Sequence, residues 1–186
     1  MSDAGKAKRQ DLTEHRVAGE LVYDGALLKV HRDVVSLPDG SHGGREFIRH
    51  PGAVAVLPLF DDGSVLLERQ FRYPHGREFI ELPAGKVEPD EPHLETAKRE
   101  LLEETGYVAQ DWKRLTVIHT AIAYTDEAIE LFVARTLSQQ ARSLDVGEFL
   151  ETLIVPFDQA LAMVRDGRIT DSKTVAGLLW FARWGG

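Results

Sequence analysis

The sequence contains no cysteine among its 186 residues. It therefore cannot form a disulfide framework, a thiolate nucleophile or a cysteine-based zinc site. A chain without cysteine suits a reducing compartment, and we expect a cytoplasmic protein.

The sequence also lacks long apolar runs. No segment approaches the roughly 20 apolar residues that a membrane-spanning helix needs. The first residues, MSDAGKAKRQDLTEHR, are polar throughout and have no apolar core of the kind found in signal peptides. We therefore expect no membrane partner.

Positive charge is scarce as well. Lysine and arginine number 22 against 30 aspartates and glutamates, so the formal net charge is −8 at pH 7. This balance argues against nonspecific binding to nucleic acid or to an anionic membrane. It leaves an anionic small-molecule substrate open, because bound divalent cations can reverse the local sign of charge.

The chain has the length of one domain with its own core. Residues 1–14 are polar and aperiodic, and we predict a disordered tail. Two β-rich runs broken at Asp24-Gly25, and a further turn at Pro38-Asp39-Gly40, predict strands over residues 15–48. Later strands are predicted at 53–60, 64–71, 78–82, 115–124, 128–137 and 150–155, and helices at 156–167 and 171–184. This order predicts an α/β fold, a mixed sheet with helices on its faces.

An acidic segment lies in mid-chain. Residues 85–106, GKVEPDEPHLETAKRELLEETG, hold seven acidic residues between two glycines. Apolar residues at helical spacing predict a helix from near Pro92 to Thr105, ended by Gly106.

Two glutamates of this helix are expected to share one face. Glu100 and Glu104 are four residues apart, and Arg99 precedes Glu103 by four and can pair with it. We therefore expect Glu100 and Glu104 to remain free and to converge on an exposed face. Like charges at this spacing cost a helix about 0.2–0.5 kcal/mol, and a divalent cation that prefers carboxylate oxygens would reverse the sign. The alternative is an ordinary solvated face.

The full spacing argues against that alternative. The segment resembles the Nudix box, GX5EX7REUXEEXGU, in which U is a bulky apolar residue. Every defined position matches, except that the last U is the aromatic Tyr107. The resemblance implies a Nudix-type α/β/α sandwich with a mixed sheet, and a hydrolase of nucleoside diphosphates linked to another group. It also implies two to three Mg²⁺ or Mn²⁺ ions per site.

The flanks resemble one branch of this family. ERQFR at residues 68–72 and ELPAGK at residues 81–86 are similar to the ADP-ribose pyrophosphatase group and its relatives that cleave other nucleotide sugars. The resemblance implies that the carbonyl oxygen of Ala84 and the carboxylates of Glu100 and Glu104 bind metal.

A further acid is implied by the same resemblance. A late loop in this group supplies a glutamate that binds metal or activates water, and here the loop is SLDVGEFLE. Glu148 is the predicted residue, because the preceding glycine permits a mobile backbone. Glu151 and Asp145 are the alternatives. The implied catalytic residues are thus Glu103, Glu104 and Glu148.

Four residues are implied in substrate binding. Arg72 ends ERQFR and corresponds to an arginine near the phosphates, and Glu81 begins ELPAGK. Arg45 in GREFIRH corresponds to a nucleotide contact on an early strand, and Glu127 to a glutamate of a T-D-E type loop.

The resemblance also suggests how the chain is divided. The hydrolase domain would span residues 49–186, and the strands over 15–48 would mediate a homodimer and reach the substrate of the partner subunit. A hairpin is marginally stable alone and needs a surface for its apolar face.

Two features depart from the group. The S-P-G often found before the T-D-E type loop is absent from AIAYTDE, and the first hairpin has Leu27 and Leu28 in place of an aromatic residue that stacks on adenine. Both put adenine specificity in question and leave the pyrophosphate chemistry intact. We therefore expect hydrolysis of ADP-ribose or a related nucleotide sugar to a nucleoside monophosphate and a sugar phosphate. The alternatives are a Nudix pyrophosphatase of nucleoside triphosphates or capped RNA, and a non-catalytic nucleotide-sensing module.

Overall fold

The computed structural model describes residues 9–144, 147 and 149–185. The chain forms two compact units, one of residues up to His50 together with 121–126, and one of residues 51–120 and 127 onward. Most of the predicted tail lies outside the described residues, and residues 9–14 form neither helix nor strand.

The first unit is built on an antiparallel three-stranded sheet. Its strands are β1 (His15–Asp24), β2 (Lys29–Ser36) and β3 (His42–Arg49), paired in the order β1-β2-β3. The predicted turns are confirmed. The amide of Gly25 donates to the Leu28 carbonyl at 2.9 Å, and Gly40 has a φ of +85°, which favours glycine.

The second unit contains the remaining elements. In chain order they are β4 (Ala53–Pro58), β5 (Ser64–Arg72), β6 (Arg77–Glu81), β7 (Ala84–Lys86), α1 (His93–Thr105), β8 (Tyr107–His119), β9 (Ala128–Gln139), β10 (Leu150–Pro156), α2 (Phe157–Arg165) and α3 (Ser172–Trp184). They form a mixed sheet in the order β7-β4-β9-β8, with β4 parallel to β9, and an antiparallel sheet in the order β10-β5-β6.

Strand β4 lies at the centre of the core. All six of its residues are buried, as expected for a strand covered on both faces. Val54 and Val56 pack in one cluster with Ala97 and Leu101 of α1. Leu57 packs in another cluster, which includes residues of α2 and α3. The predicted α/β/α sandwich with a mixed sheet is therefore confirmed.

One predicted strand is wrong in its extent. The strand predicted over 115–124 begins at Tyr107 and ends at His119. The amides of Tyr124 and Thr125 both donate to the Ala121 carbonyl, at 3.0 and 3.1 Å, so this segment folds into a turn despite its apolar residues. No helix in the described part of the chain combines the length and apolar character needed to cross a bilayer.

Candidate active site

Helix α1 is fixed at both ends by its local sequence. Pro92 is the N-cap residue, where its missing N–H costs nothing. Gly106 ends the helix with a φ of +74°, and its amide donates to the Leu102 carbonyl at 2.8 Å. A Cβ at Gly106 would lie 3.0 Å from the Gln140 carbonyl oxygen, a tight contact that adds to the conformational preference for glycine. The glutamates of α1 are thereby held in one register.

Arg99 binds three carboxylates at once. Its Nε donates to Glu91 at 3.0 Å, and its Nη1 donates to Glu103 at 3.0 Å and to Glu100 at 2.8 Å. The predicted pair between Arg99 and Glu103 is present. The expectation that Glu100 stays free is wrong, because the guanidinium carries five N–H donors and reaches both neighbours.

Glu104 is buried, which corrects the expectation of an exposed pair of acids. Only 4% of the residue is exposed, and its Oε2 accepts a hydrogen bond from the amide of Ala84 at 2.9 Å. Glu104 therefore faces strand β7 and not the solvent.

Glu100 approaches the same short strand. A Cβ on Gly85 would overlap the Glu100 carboxylate, so only glycine leaves room for it. The carboxylates of Glu100 and Glu104 thus meet the backbone of Ala84 and Gly85, two adjacent residues. This is the closest gathering of the predicted metal-binding residues.

The donor set of this gathering fits a hard divalent cation. It consists of carboxylate oxygens beside backbone that offers carbonyl oxygens, the ligands that Mg²⁺ prefers. Across residues 9–144, 147 and 149–185, no three acidic or histidine side chains form a complete metal cage. Magnesium characteristically retains waters and substrate oxygens and takes few protein ligands, so a partial set is compatible with it.

A second charged network surrounds Glu81, a buried residue at the end of β6. Arg72 donates to it through Nε at 2.7 Å and through Nη2 at 2.8 Å, a bidentate pair. Lys173 donates to the same carboxylate and to Asp171, the latter at 3.0 Å.

The pKa values in this network follow from these contacts. Burial pushes the pKa of Glu81 upward, but the Arg72 hydrogen bond and the Lys173 charge outweigh burial, so the pKa is lowered. The Glu81 hydrogen bond raises the pKa of Arg72, and the charges of Asp171 and Glu104 raise it further. The negative charge of Glu104 thus helps to keep Arg72 protonated.

The other predicted substrate residues have their own partners. Arg45, in the first unit, donates through Nε to Glu14 at 2.8 Å. Glu127, in the second unit, accepts a hydrogen bond from Thr120 Oγ1 at 2.5 Å.

Of the three acids predicted for the late loop, one lies among the described residues. Glu148 and its alternative Asp145 lie outside the described residues. The remaining alternative, Glu151, lies on β10, where it is exposed and pairs with Arg69 at 2.5 Å.

A family model described as the NUDIX domain matches residues 49–177. The chain belongs to the Nudix family.

The relatives of this Nudix chain include two pyrophosphatases and an activator of another enzyme. It is 39% identical over 167 residues to an ADP-ribose pyrophosphatase of Bacillus subtilis, covering 89% of this chain and 90% of that one. It is 39% identical to a methanol dehydrogenase activator of Bacillus methanolicus, covering 87% and 89%. It is 34% identical to a GDP-mannose pyrophosphatase of Yersinia enterocolitica, covering 83% and 87%.

A solved structure supports the same fold. The crystal structure of an ADP compounds hydrolase superimposes with a TM-score of 0.86 at 23% identity, covering 96% of each chain. The Nudix fold inferred from the box at residues 85–107 is thus present across the chain.

Sequence reasoning missed Lys173. A signal for it was available, because a lysine in the first turn of a helix opposes the helix dipole. Such a residue near the Asp171 cap needs an acidic partner, and Glu81 is that partner.

The pH dependence of stability tests the Arg99 cluster. The Arg99 hydrogen bond is the largest cause that lowers the pKa of Glu91 from 4.5 to about 2. Because the pKa is lower in the folded state, the stabilisation is fully present above about pH 4.5 and is lost as the pH falls toward 2. We expect Glu91→Gln to lower the free energy of unfolding at pH 7, and this loss to shrink below pH 4.5.

Urea denaturation between pH 7 and pH 3 measures this difference. Glu95→Gln is the control, because Glu95 is exposed on the same helix and pairs with the exposed Lys98 at 2.8 Å. A Glu91→Gln loss that stays constant down to pH 3 would contradict the prediction.

Proposed function

We propose that the protein hydrolyses the pyrophosphate bond of ADP-ribose or of a related nucleoside diphosphate sugar. The products are a nucleoside monophosphate and a sugar phosphate. Two of the relatives are an ADP-ribose pyrophosphatase and a GDP-mannose pyrophosphatase, which supports this substrate class. The proposal includes a cytoplasmic location, which the cysteine-free sequence favours.

One observation carries the proposal. The carboxylates of Glu100 and Glu104 both meet the backbone of Ala84 and Gly85. Arg72 lies within the electrostatic influence of Glu104. Oxygen ligands for a metal ion, together with a guanidinium held by Glu81, suit a substrate that carries two adjacent phosphates.

The metal ligands in the proposal are the Ala84 carbonyl oxygen and the carboxylates of Glu100, Glu104 and Glu148. Two to three Mg²⁺ or Mn²⁺ ions bound there would supply Lewis-acid neutralisation of the phosphate oxygens and acidify a water.

Other side chains bind the phosphates, hold the carboxylates in place and accept a proton. Arg72 binds the phosphates, and the bidentate pair with Glu81 sets the plane of its guanidinium. Arg99 fixes Glu103 and Glu100, so their carboxylates do not need to reorganise during the reaction. Glu148 takes the proton from the attacking water.

Contacts to the phosphates and ribose of the nucleotide fall to two further side chains. Arg45 and Glu127 contact the nucleotide in the proposal. Both address parts that all nucleotide sugars share, and neither distinguishes one base from another.

Glu104→Gln tests the metal assignment. We expect kcat to fall by roughly a hundredfold or more, because the loss of one electrostatic contribution to the transition state costs on the order of 3–4 kcal/mol. Folding should change little, since the glutamine side-chain oxygen can still accept the hydrogen bond from the Ala84 amide. Steady-state rates at saturating Mg²⁺ and the melting temperature measure both effects.

Glu95→Gln again serves as the matched control, because it removes an exposed charge from the same helix. Turnover near the wild-type value in Glu104→Gln, at saturating Mg²⁺, would exclude Glu104 as a metal ligand.

The proposal also includes a homodimer formed through residues 15–48. Every residue of β1 is exposed, and β1 is an edge strand of its three-stranded sheet. Val17, Leu21 and Tyr23 are among its exposed apolar side chains. A hydrophobic edge strand is a surface that a second copy would cover.

Light scattering at micromolar concentration tests the dimer. We expect about twice the monomer mass of 20.8 kDa for the wild type, and the monomer mass for Leu21→Lys, which puts a charge on the exposed strand. Ile154→Lys is the control, since Ile154 is 52% exposed on β10 in the other unit. A wild-type species of 20.8 kDa would contradict the dimer.

Substrate preference is expected to be modest. Phe47 of β3 already stacks on His31 at 5.4 Å and lies under the Arg49 guanidinium, while Leu27 and Leu28 are exposed aliphatic residues. Aromatic stacking contributes about 0.5–1.5 kcal/mol, or up to about tenfold in affinity. We expect ADP-ribose to be preferred over GDP- and UDP-sugars by roughly that factor, with the differences mainly in KM.

Values of kcat/KM for ADP-ribose, ADP-glucose and GDP-mannose, at one Mg²⁺ concentration with phosphatase-coupled detection, test this prediction and the proposed function together. Nucleoside triphosphates and capped RNA in the same panel test the first alternative. Hydrolysis of none of these substrates would favour the non-catalytic module. A thousandfold preference for one base would point to a further aromatic contact, for which exposed Tyr124 is the candidate.

A further inference from the structure

The beginning of helix α3 lies along strand β6. At one end of the strand, Arg77 Nη2 donates to Thr170 Oγ1 at 3.1 Å, just before the helix begins. Beyond the other end, the Leu82 amide donates to Thr174 Oγ1 at 2.8 Å. Gly177 allows this close approach, because a Cβ there would lie 2.9 Å from Leu82 Cδ1. The helix is therefore fixed against the segment that leads into Ala84.

Lys173 is the buried charge of this contact. Its side chain is 10% exposed, and it donates to Glu81 and to Asp171. A lysine in the first helical turn is disfavoured by the helix dipole, and a buried ammonium group loses its hydration. Both costs are offset by the two carboxylates, so the position of Lys173 depends on Glu81.

Glu81 also binds Arg72, so the positions of Lys173 and Arg72 are linked through one carboxylate. Its Oε1 accepts from Arg72 Nε, while its Oε2 accepts both from Arg72 Nη2 and from Lys173. A carboxylate held by one cation can rotate together with it. Held by a second cation on a different element, it fixes the plane in which the guanidinium must lie.

We infer that Lys173 is a positioning residue for Arg72, acting through Glu81, and that the first turn of α3 thereby belongs to the phosphate-binding machinery. The inference rests on the proposed function, because it takes Arg72 as a phosphate contact. Nothing in it requires Lys173 to touch the substrate.

A double-mutant cycle tests the inference. Lys173→Met removes the second cation, and Arg72→Ala removes the group that Lys173 is inferred to orient. We expect Lys173→Met alone to lower kcat/KM for ADP-ribose by about tenfold, as expected for loss of one well-oriented charged contact. In the Arg72→Ala background the same change should alter kcat/KM by less than about twofold, since no oriented guanidinium is left to lose.

Equilibrium binding gives a second readout that needs no turnover. The Kd for ADP-ribose, measured by calorimetry in EDTA, should rise with Lys173→Met in the wild-type background only. A residue that merely supports the fold would lower the melting temperature and leave this background dependence absent.

Three further variants complete the experiment. Lys98→Met makes the same chemical change at an exposed lysine and should leave Kd and kcat/KM unchanged. Leu178→Ala opens a cavity in the core beneath α3, and should lower the melting temperature without changing Kd. If Lys173→Met is too unstable to purify, Lys173→Gln removes the charge, keeps a donor for Glu81 and enters the same cycle.

The outcomes separate the two hypotheses. An active wild type in which the Lys173 and Arg72 losses are additive would overturn the inference alone. A wild type that hydrolyses no member of the substrate panel would overturn the proposed function, and the inference with it. Non-additive losses in both kcat/KM and Kd would support both.

Discussion

The Arg99 guanidinium binds Glu91, Glu100 and Glu103 together, and the acidic side of α1 depends on it. Several negative charges on thirteen helical residues would repel each other and weaken the helix. One cation with five donors offsets that repulsion and leaves each carboxylate with oxygen lone pairs to spare. The buried Glu104 is stabilised differently, by a backbone amide of β7. The acids of the site are thus held in two ways, by the common cation Arg99 and by the backbone of β7.

The sheet explains why these groups can lie so close together. Strand β4 is buried on both faces and pairs with the three residues of β7, so the Ala84–Gly85 backbone is held by the centre of the core. Helix α1 packs against Val54 and Val56 of that strand. Strand β4 therefore positions both the helix that carries the carboxylates and the backbone that they meet.

The sequence predicted what depends on local spacing. The helix, its glycine end, the hairpins and a mixed sheet with helices on its faces follow from periodicity and turn residues. The α/β/α sandwich is implied by the resemblance of residues 85–107 to the Nudix box, which rests on seven fixed positions. The predictions that were wrong concern contacts between residues far apart in the sequence, or the direction in which a side chain points. Arg99 reaches Glu100 as well as Glu103, and Glu104 finds the Ala84 amide twenty residues away. Residues 121–124 are apolar enough for a strand, yet the amides of Tyr124 and Thr125 donate to the Ala121 carbonyl and close a turn. Lys173 meets Glu81 across 92 positions. The local sequence indicates that this lysine needs an acidic partner, but it does not identify which acid.

That last separation also has a consequence during synthesis. A ribosome adding about 5–20 residues per second makes Lys173 roughly 5–18 s after Glu81, since the two residues are 92 positions apart. For that interval a nascent chain holds Arg72 and Glu81 without the ammonium group that completes their network. The sheets can therefore begin to form well before Lys173 completes the charged network of Arg72 and Glu81. The order of translation thus places the rigid site later than the start of folding.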